Sequence, residues 1–185
     1  FATGQNKVKK KFQNFYIDFM ETTLLEVIKQ NIRLQLDAGA EIVMMFDSGI
    51  SDLDNNFFRG KYQLFLKNIS NSFPNKVGYY ARGKTYNEIS YLSDLPFAGL
   101  GVDNGVNMQH IFSNSKFGFI QGNFDEKNLL LDTKELESEL HIFSESMKNM
   151  DNLDGWVCGL GHGINKATPE KNVHVFIETI RKKFS

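Results

Sequence analysis

Five short apolar segments, each followed by a helical pattern, constrain the fold of this chain more than any other feature. Each segment is too short for a helix and carries apolar residues without polar alternation, which is typical of a strand buried on both faces. The predicted strands are 41–46, 76–81, 97–102, 117–121 and 156–160. Strands that alternate with helices imply parallel pairing with right-handed crossovers, and therefore an α/β fold.

The segments between the strands repeat apolar residues at steps of three to four, which is the helical period. The predicted helical segments are 7–38, read as two helices joined near residue 18, and then 55–72, 86–92, 106–113, 133–150 and 169–184. Gly39 is expected to end the helical segment 7–38, because a residue without Cβ adopts a left-handed backbone at low energetic cost. Thr168 precedes Pro169, so we expect its hydroxyl to cap the last helix.

Two architectures fit this alternation: an open doubly wound sheet and part of a (β/α)8 TIM barrel. Polar or glycine-bearing residues follow every predicted strand, and only a barrel brings all its strand ends to one pocket, which favours the barrel. A full barrel typically needs about 250 residues. We therefore expect residues 1–185 to form a single domain, the C-terminal part of a barrel whose N-terminal part is missing, and the start at Phe1 is interpreted in the same way.

Composition narrows the classes of partner. The 185 residues carry a net charge of −1, which gives no general attraction to nucleic acid or to an anionic membrane. No apolar run approaches the roughly 18 residues of a membrane span. Cys158 is the only cysteine, so neither an internal disulfide nor a thiolate zinc site is predicted, and a cytoplasmic location is expected.

Gly161-His162-Gly163, directly after the last predicted strand, is the strongest local signal for a functional site. An imidazole can bind a carboxylate or exchange a proton near neutral pH, and flanking glycines let a ligand approach it. A loop in which the glycines only permit the turn explains the same residues equally well, so both interpretations stay open. The remaining histidines are assigned to helix surfaces: His110, His141 and His174.

Two other strand ends carry side chains that can hold an anion. Ser48 can bind a carboxylate, although serine and aspartate also cap their own backbone in turns, and the residues alone slightly favour the cap. Arg82 either binds an anionic ligand or is a solvent-exposed charge without a binding role. The glycines at 99–101 do not complete a dinucleotide fingerprint, and no second Cys or His cluster accompanies Cys158 and His162, so neither a nucleotide nor a metal cofactor is predicted.

Taken in order and with their spacing, several motifs make the chain resemble the C-terminal portion of the uroporphyrinogen decarboxylase family. They are Ala38-Gly39-Ala40, Phe46-Asp47-Ser48, Tyr80-Ala81-Arg82-Gly83, Gly101-Val102-Asp103, Gln121-Gly122-Asn123-Phe124-Asp125, and Leu160-Gly161-His162-Gly163-Ile164 with Thr168-Pro169-Glu170-Lys171-Asn172-Val173. The resemblance implies a (β/α)8 barrel, a homodimer when full-length, and a cofactor-independent carboxy-lyase. Such an enzyme removes CO2 from the four acetate arms of uroporphyrinogen to give coproporphyrinogen in porphyrin and heme biosynthesis.

The same resemblance implies roles for individual residues. Ser48 and His162 match the family's carboxylate-binding serine and histidine, with His162 as the catalytic candidate, and the charge of Arg82 makes it a third substrate-binding candidate. The family's two arginines, its pyrrole-holding aspartate and its tyrosine lie before the region that aligns with Phe1. We therefore expect this chain alone to be inactive.

Three positions depart from the family pattern and keep alternatives open. Gly49 and Asn104 stand where tryptophan is common, and Glu126 replaces a proline. These differences are compatible with a degenerate, non-catalytic binding or assembly module. A cobalamin-linked methyltransferase of the same superfamily is less favoured, because it would need a His-x-Cys pair at 79–81 and a cysteine in place of His162.

Overall fold

The structure is a computed structural model that describes residues 18–52, 58–114 and 116–185. Its strands are β1 (Val43–Asp47), β2 (Val77–Ala81), β3 (Gly99–Gly101), β4 (Phe119–Phe124) and β5 (Trp156–Leu160). Its α-helices are α1 (Leu25–Asp37), α2 (Gln63–Ser72), α3 (Tyr86–Ile89), α4 (Met108–Asn114), α5 (Thr133–Lys148) and α6 (Glu170–Phe184). The five strands form one parallel sheet in chain order, which confirms the predicted alternation of strands and helices.

The boundaries differ from the prediction mainly at β4. This strand was expected at 117–121 but spans Phe119–Phe124, because it pairs with β5 from Ile120 opposite Trp156 to Phe124 opposite Leu160. Gln121, Gly122 and Asn123 therefore lie within the strand and not at its tip. The predicted helical residues 7–17 and 55–57 fall outside the described residues.

Helix ends show one confirmed expectation and one error. Gly39 follows α1 with φ +102°, and its N–H donates to the Leu36 carbonyl over 3.0 Å, as expected for a left-handed helix end. The hydroxyl cap predicted for α6 is not formed: Pro169 occupies the N-cap position, and no side chain caps the helix. The Thr168 Oγ1 is instead buried without a hydrogen-bond partner in the described part of the chain.

The chain divides into two compact units. The first comprises the described residues up to Lys84 together with Tyr91–Gly99, and the second comprises Thr85–Ser90 with Leu100–Ser185. In the first unit, α1 contacts both α2 and β1, and it buries Leu25 and Ile32. All five residues of β2 are buried, as expected of a parallel strand covered on both faces.

The core of the second unit lies where α5 and α6 contact each other. It is built from the buried residues Phe124, Leu129, Leu136 and Leu140 and the partly buried residues Leu131, Phe143, Leu160, Val175 and Phe176. Asn172 of α6 donates to the carbonyls of Leu129 and Leu131, both over 2.9 Å, and so fixes the end of a 3-10 turn, Glu126–Leu130, that the sequence pattern did not predict. No helix among residues 18–52, 58–114 and 116–185 is long and apolar enough to cross a bilayer.

Ser144 on α5 offers a test of the packing of the second unit. Its side chain is fully buried and its Oγ has no hydrogen-bond partner among the described residues. Ser144→Ala removes an unsatisfied hydroxyl and improves helix propensity, so we expect the free energy of unfolding to rise by about 0.5–1 kcal/mol. Urea unfolding followed by fluorescence of the single tryptophan, Trp156, measures this change.

Ser70 on α2 provides the matched control. It is equally buried, but its Oγ donates to the Lys67 carbonyl over 3.1 Å. Ser70→Ala should therefore lower the free energy of unfolding by about 0.5–1.5 kcal/mol, measured by circular dichroism. A loss of stability in Ser144→Ala as large as that in Ser70→Ala would contradict the view that the Ser144 hydroxyl is unsatisfied.

Candidate functional site

In the first unit, Ser48 and Arg82 lie at neighbouring strand ends. Asp47 pairs with Ala81 in the β1–β2 register, and the Arg82 N–H donates to the Asp47 carbonyl over 3.2 Å. Ser48 follows Asp47 and Arg82 follows Ala81, and both side chains are exposed. Neither the Ser48 hydroxyl nor the Arg82 guanidinium has a polar partner among the described residues, so both are available to an anion.

The carboxylate of Asp47 is held by two tyrosines. The hydroxyls of Tyr62 and Tyr79 both donate to its Oδ2, the second over 2.9 Å. Tyr79 is fully buried on β2 and stacks on Phe97 with ring centroids 5.7 Å apart. Burial, and then the neighbouring acidic groups, raise the pKa of both hydroxyls, so both remain O–H donors at neutral pH.

This tyrosine pair changes the interpretation of the Asp47-Ser48 turn. The sequence slightly favoured capping of the local backbone, but the Asp47 side chain bonds tyrosines 15 and 32 residues away. The Asp47 Oδ2 is therefore bound by tyrosine hydroxyls from distant segments and not by the local backbone, while the cap weighed for Ser48 stays a prediction. The sequence analysis did not identify the contacts of Tyr62 and Tyr79, because the apolar pattern of β2 does not indicate that the Tyr79 hydroxyl reaches a carboxylate.

In the second unit, His162 follows β5 in a closely packed segment. The Gly161 N–H donates to the Phe124 carbonyl over 2.8 Å, which continues the β4–β5 pairing by one residue. A Cβ added at Gly161 would lie only 2.5 Å from the backbone nitrogen of Asn104. Gly161 is therefore required by a close approach, whereas a Cβ at Gly163 would meet nothing within 4 Å.

The two ring nitrogens of His162 have different surroundings. Its Nδ1 lies 3.3 Å from the Gly163 carbonyl, a contact that in the neutral ring places the proton on Nδ1. Its Nε2 is buried and has no hydrogen-bond partner among the described residues. In this tautomer Nε2 carries the lone pair, and an imidazolium would instead direct an N–H donor from the same atom.

The other histidines lie where the sequence placed them, on helices and exposed: His110, His141 and His174. His141 and His174 each face a glutamate one turn away, at 3.9 Å from Glu145 and 3.7 Å from Glu170. Exposed pairs of this kind contribute little to stability. These residues therefore serve as controls for His162.

Cys158 in β5 is a free, partly buried cysteine. Burial raises the pKa of its side chain to about 12, so the thiol stays protonated at neutral pH and is a weak nucleophile. Within residues 18–52, 58–114 and 116–185, no three His, Cys, Asp or Glu side chains are grouped so as to hold a metal ion.

A polar cleft of about 660 Å³ opens in the second unit between α4 and α5. Its polar lining includes Asn104, Asn123, Asp125, Lys127, Asn128 and Glu139. His162 does not line it. Asn104 lies in the loop that precedes α4, and Asn123 donates hydrogen bonds to the same loop, so the cleft borders this loop.

The five parallel strands pair in chain order, each with the next, and each is followed by helical structure. This arrangement is that of the (β/α) barrel class, whereas a doubly wound sheet reverses its strand order. A family model described as "Uroporphyrinogen decarboxylase (URO-D)" matches residues 16–183. The chain belongs to this family. The match and the sheet together confirm the predicted fold class, an incomplete part of a (β/α)8 TIM barrel with five parallel strands and flanking helices.

Several curated relatives named "Uroporphyrinogen decarboxylase" are similar to the chain at modest identity. The Rickettsia bellii (strain RML369-C) protein is 25% identical over 185 residues, covering 95% of this chain and 53% of the relative. The protein of Francisella tularensis subsp. novicida (strain U112) is 28% identical over 153 residues, covering 80% and 44%. That of Hydrogenobaculum sp. (strain Y04AAS1) is 27% identical over 164 residues, covering 86% and 46%. The chain thus spans about half the length of the curated relatives it matches.

Proposed function

We propose that this chain is the C-terminal part of a uroporphyrinogen decarboxylase, a carboxy-lyase that converts uroporphyrinogen to coproporphyrinogen. The family match over residues 16–183 carries this proposal. The names of the relatives support it, and so do the strand-end residues that can bind a polyanion. The proposal includes a homodimer for the whole protein, a cytoplasmic location and no metal or organic cofactor.

In the proposed reaction the pyrrole ring itself accepts the electron pair, so each decarboxylation needs a proton donor and an oriented acetate arm rather than a cofactor. Protonation of the electron-rich pyrrole creates a cation that accepts the electron pair of the breaking C–CO2 bond. That pair finally forms a C–H bond of the new methyl group, and the ring proton is released. In sum, each acetate arm takes up one proton and loses one CO2. The protein must hold the arm so that the bond can break, and it must deliver protons.

Ser48 and Arg82 are proposed to bind substrate carboxylates. Both are exposed at paired strand ends, and neither has a polar partner among the described residues. A guanidinium and a hydroxyl bind carboxylate oxygens by charge-assisted hydrogen bonds, which are stronger than neutral ones. The Asp47 carboxylate next to Ser48 accepts hydrogen bonds from the hydroxyls of Tyr62 and Tyr79.

His162 is proposed to act on the substrate through Nε2. This atom lacks a hydrogen-bond partner in the described residues, and the close packing of Gly161 holds the backbone that carries the ring. As an imidazolium, the ring would donate from Nε2 to a substrate carboxylate, and it could transfer that proton in the reaction.

The decisive experiment is an assay of the protein in its natural length with uroporphyrinogen under anaerobic conditions. The expected result is stepwise conversion to coproporphyrinogen, with four CO2 released per substrate, both quantified by chromatography after oxidation of the products. This chain alone is expected to be inactive. If the natural-length protein converts no uroporphyrinogen, the enzymatic proposal is abandoned.

Ser48→Ala tests the carboxylate-binding role. Removing one hydrogen bond to a charged group costs about 1.5–3 kcal/mol, so we expect kcat/KM for uroporphyrinogen to fall about 10- to 100-fold. Ser146→Ala is the control, because the Ser146 hydroxyl is exposed and bonds only the Phe143 carbonyl of its own helix. Equal kcat/KM values for the two variants would remove Ser48 from the substrate site.

A non-catalytic binding or assembly module is the second candidate. Its support lies at Gly49 and Asn104, where the family commonly has tryptophan, and a Cβ at Gly49 would meet nothing within 4 Å. A module of this kind would bind a porphyrin polycarboxylate without converting uroporphyrinogen. Isothermal titration with coproporphyrin, alongside the assay, therefore separates the two functions.

A further inference from the structure

The loop between β3 and α4 is held by a buried asparagine from β4. Asn123 is only 8% exposed, and its Nδ2 donates to the carbonyls of Asp103 and Val106, over 2.9 and 2.7 Å. The Asp103 carbonyl also accepts the Val106 N–H over 3.1 Å, which closes the turn on itself. A single amide thus satisfies two buried acceptors and sets the conformation of residues 103–106.

The same loop supports the segment that carries His162. The backbone of Asn104 lies close to Gly161. A Cβ added at Gly161 would lie 2.5 Å from the Asn104 nitrogen and 2.9 Å from the Asn104 Cβ. On its other side, Gly161 is bonded to Phe124, the residue that follows Asn123. The position of the His162 backbone therefore depends on where the 103–106 loop lies.

We infer that Asn123 is a positioning residue for His162, acting through the 103–106 loop and Gly161. The inference rests on the proposed function in one respect: it concerns the histidine to which that function assigns the chemistry. Asn123 does not touch substrate in this assignment. It fixes the loop, the loop fixes Gly161, and Gly161 sets the direction in which the buried Nε2 of His162 points.

The Asn123 amide supplies the two N–H donors that the two loop carbonyls accept. Aspartate has the same shape but no donor when ionised, so it would face two carbonyl oxygens with a negative charge. Asn123→Asp should therefore displace the 103–106 loop. A displacement on the order of 1 Å at a reacting group costs about 10²-fold in rate, so we expect kcat to fall by that factor, with a much smaller change in KM.

Asn172→Asp is the matched control. Asn172 is 3% exposed, lies in the same unit and likewise donates from Nδ2 to two backbone carbonyls, those of Leu129 and Leu131. It should lose as much stability to the same substitution while leaving the 103–106 loop in place. A second variant, Asn104→Gly, removes the Cβ that lies beside Gly161 and frees the loop backbone at that point, and it preserves both hydrogen bonds of Asn123.

The readout that separates positioning from mere stability is NMR of the histidine rings in this chain. In Asn123→Asp and in Asn104→Gly, the Hε1 and Nε2 resonances of His162 should move, while those of His141 and His174 stay in place. In Asn172→Asp the His162 resonances should stay in place. If Asn123→Asp does not fold, Asn104→Gly alone decides.

The two proposals can fail separately. Unchanged His162 resonances in a folded Asn123→Asp or Asn104→Gly protein overturn the positioning role, whatever the activity. A kcat in Asn123→Asp no lower than that in Asn172→Asp, in an active natural-length protein, overturns it as well. Shifted His162 resonances support it even where the natural-length protein fails to convert uroporphyrinogen, and that failure would count against the proposed function alone.

Discussion

His162→Ala in the natural-length protein is expected to lower kcat/KM for uroporphyrinogen by about 10³-fold, within the range of about 10²–10⁴ that a positioned acid–base group contributes. The physical reason is that Nε2 is the buried ring atom without a hydrogen-bond partner in the described residues, at the end of a strand whose backbone is closely packed. Alanine leaves neither a donor for the substrate carboxylate nor a group that can transfer a proton. Steady-state formation of coproporphyrinogen measures the effect.

His162→Gln and His174→Ala sharpen this prediction. Glutamine keeps a hydrogen-bonding amide but cannot exchange a proton, so kcat should stay low while KM recovers towards the wild-type value. His174 is an exposed helix residue that faces Glu170, and its replacement should change kcat/KM by less than about twofold. Full recovery of kcat in His162→Gln would show that the ring only orients the substrate.

Gly155→Ala is expected to lower the free energy of unfolding by about 3 kcal/mol, because two costs add. Gly155 has φ +79°, where a side chain is strained, and a Cβ there would lie 2.5 Å from the Gly118 carbonyl oxygen. The Gly155 carbonyl also accepts the Ile120 N–H over 2.9 Å, so relief of the clash would disturb the start of the β4–β5 pairing. Urea unfolding followed by Trp156 fluorescence reports the change next to the substituted residue.

Gly39→Ala separates the two costs. Gly39 has φ +102°, but a Cβ there would meet nothing within 4 Å, so only backbone strain of about 1–2 kcal/mol is expected. Gly163→Ala has neither the strained φ nor a close neighbour and should change stability by less than about 0.5 kcal/mol. The expected order of destabilisation is Gly155, then Gly39, then Gly163. Equal losses at Gly155 and Gly39 would mean that the Gly118 backbone yields to the added methyl group.

Much of the fold was predictable because its causes are local. Apolar periodicity depends on neighbours within about a turn, and it located the strand and helix units in the described residues correctly. The left-handed residue at Gly39 was predictable for the same reason. The errors at β4 and at the start of α6 have non-local causes: pairing with β5 extends the strand to Phe124, and the Thr168 hydroxyl is buried away from any partner in the described chain.

The candidate site was predictable only in part. Ser48, Arg82 and His162 were singled out because they directly follow apolar strands, where α/β barrels place their functional residues. Their roles remain predictions. The residues that hold this edge in place were not found: Tyr62 and Tyr79 bond Asp47 from 15 and 32 residues away, and Asn123 bonds the 103–106 loop from 20 and 17 residues away.

Local chemistry in the chain itself determined which segments become strands and helices, where the chain turns, and which polar groups stand at the strand ends. Only the tertiary structure decided which of those groups are hydrogen-bonded within the described chain and which can still bind a ligand. It pairs the Asp47 carboxylate with tyrosine hydroxyls, satisfies two loop carbonyls through Asn123, and makes Gly161 indispensable while Gly163 is not. The reason is that a hydrogen bond or a close backbone approach depends on distances between residues far apart in the chain, which no local pattern records.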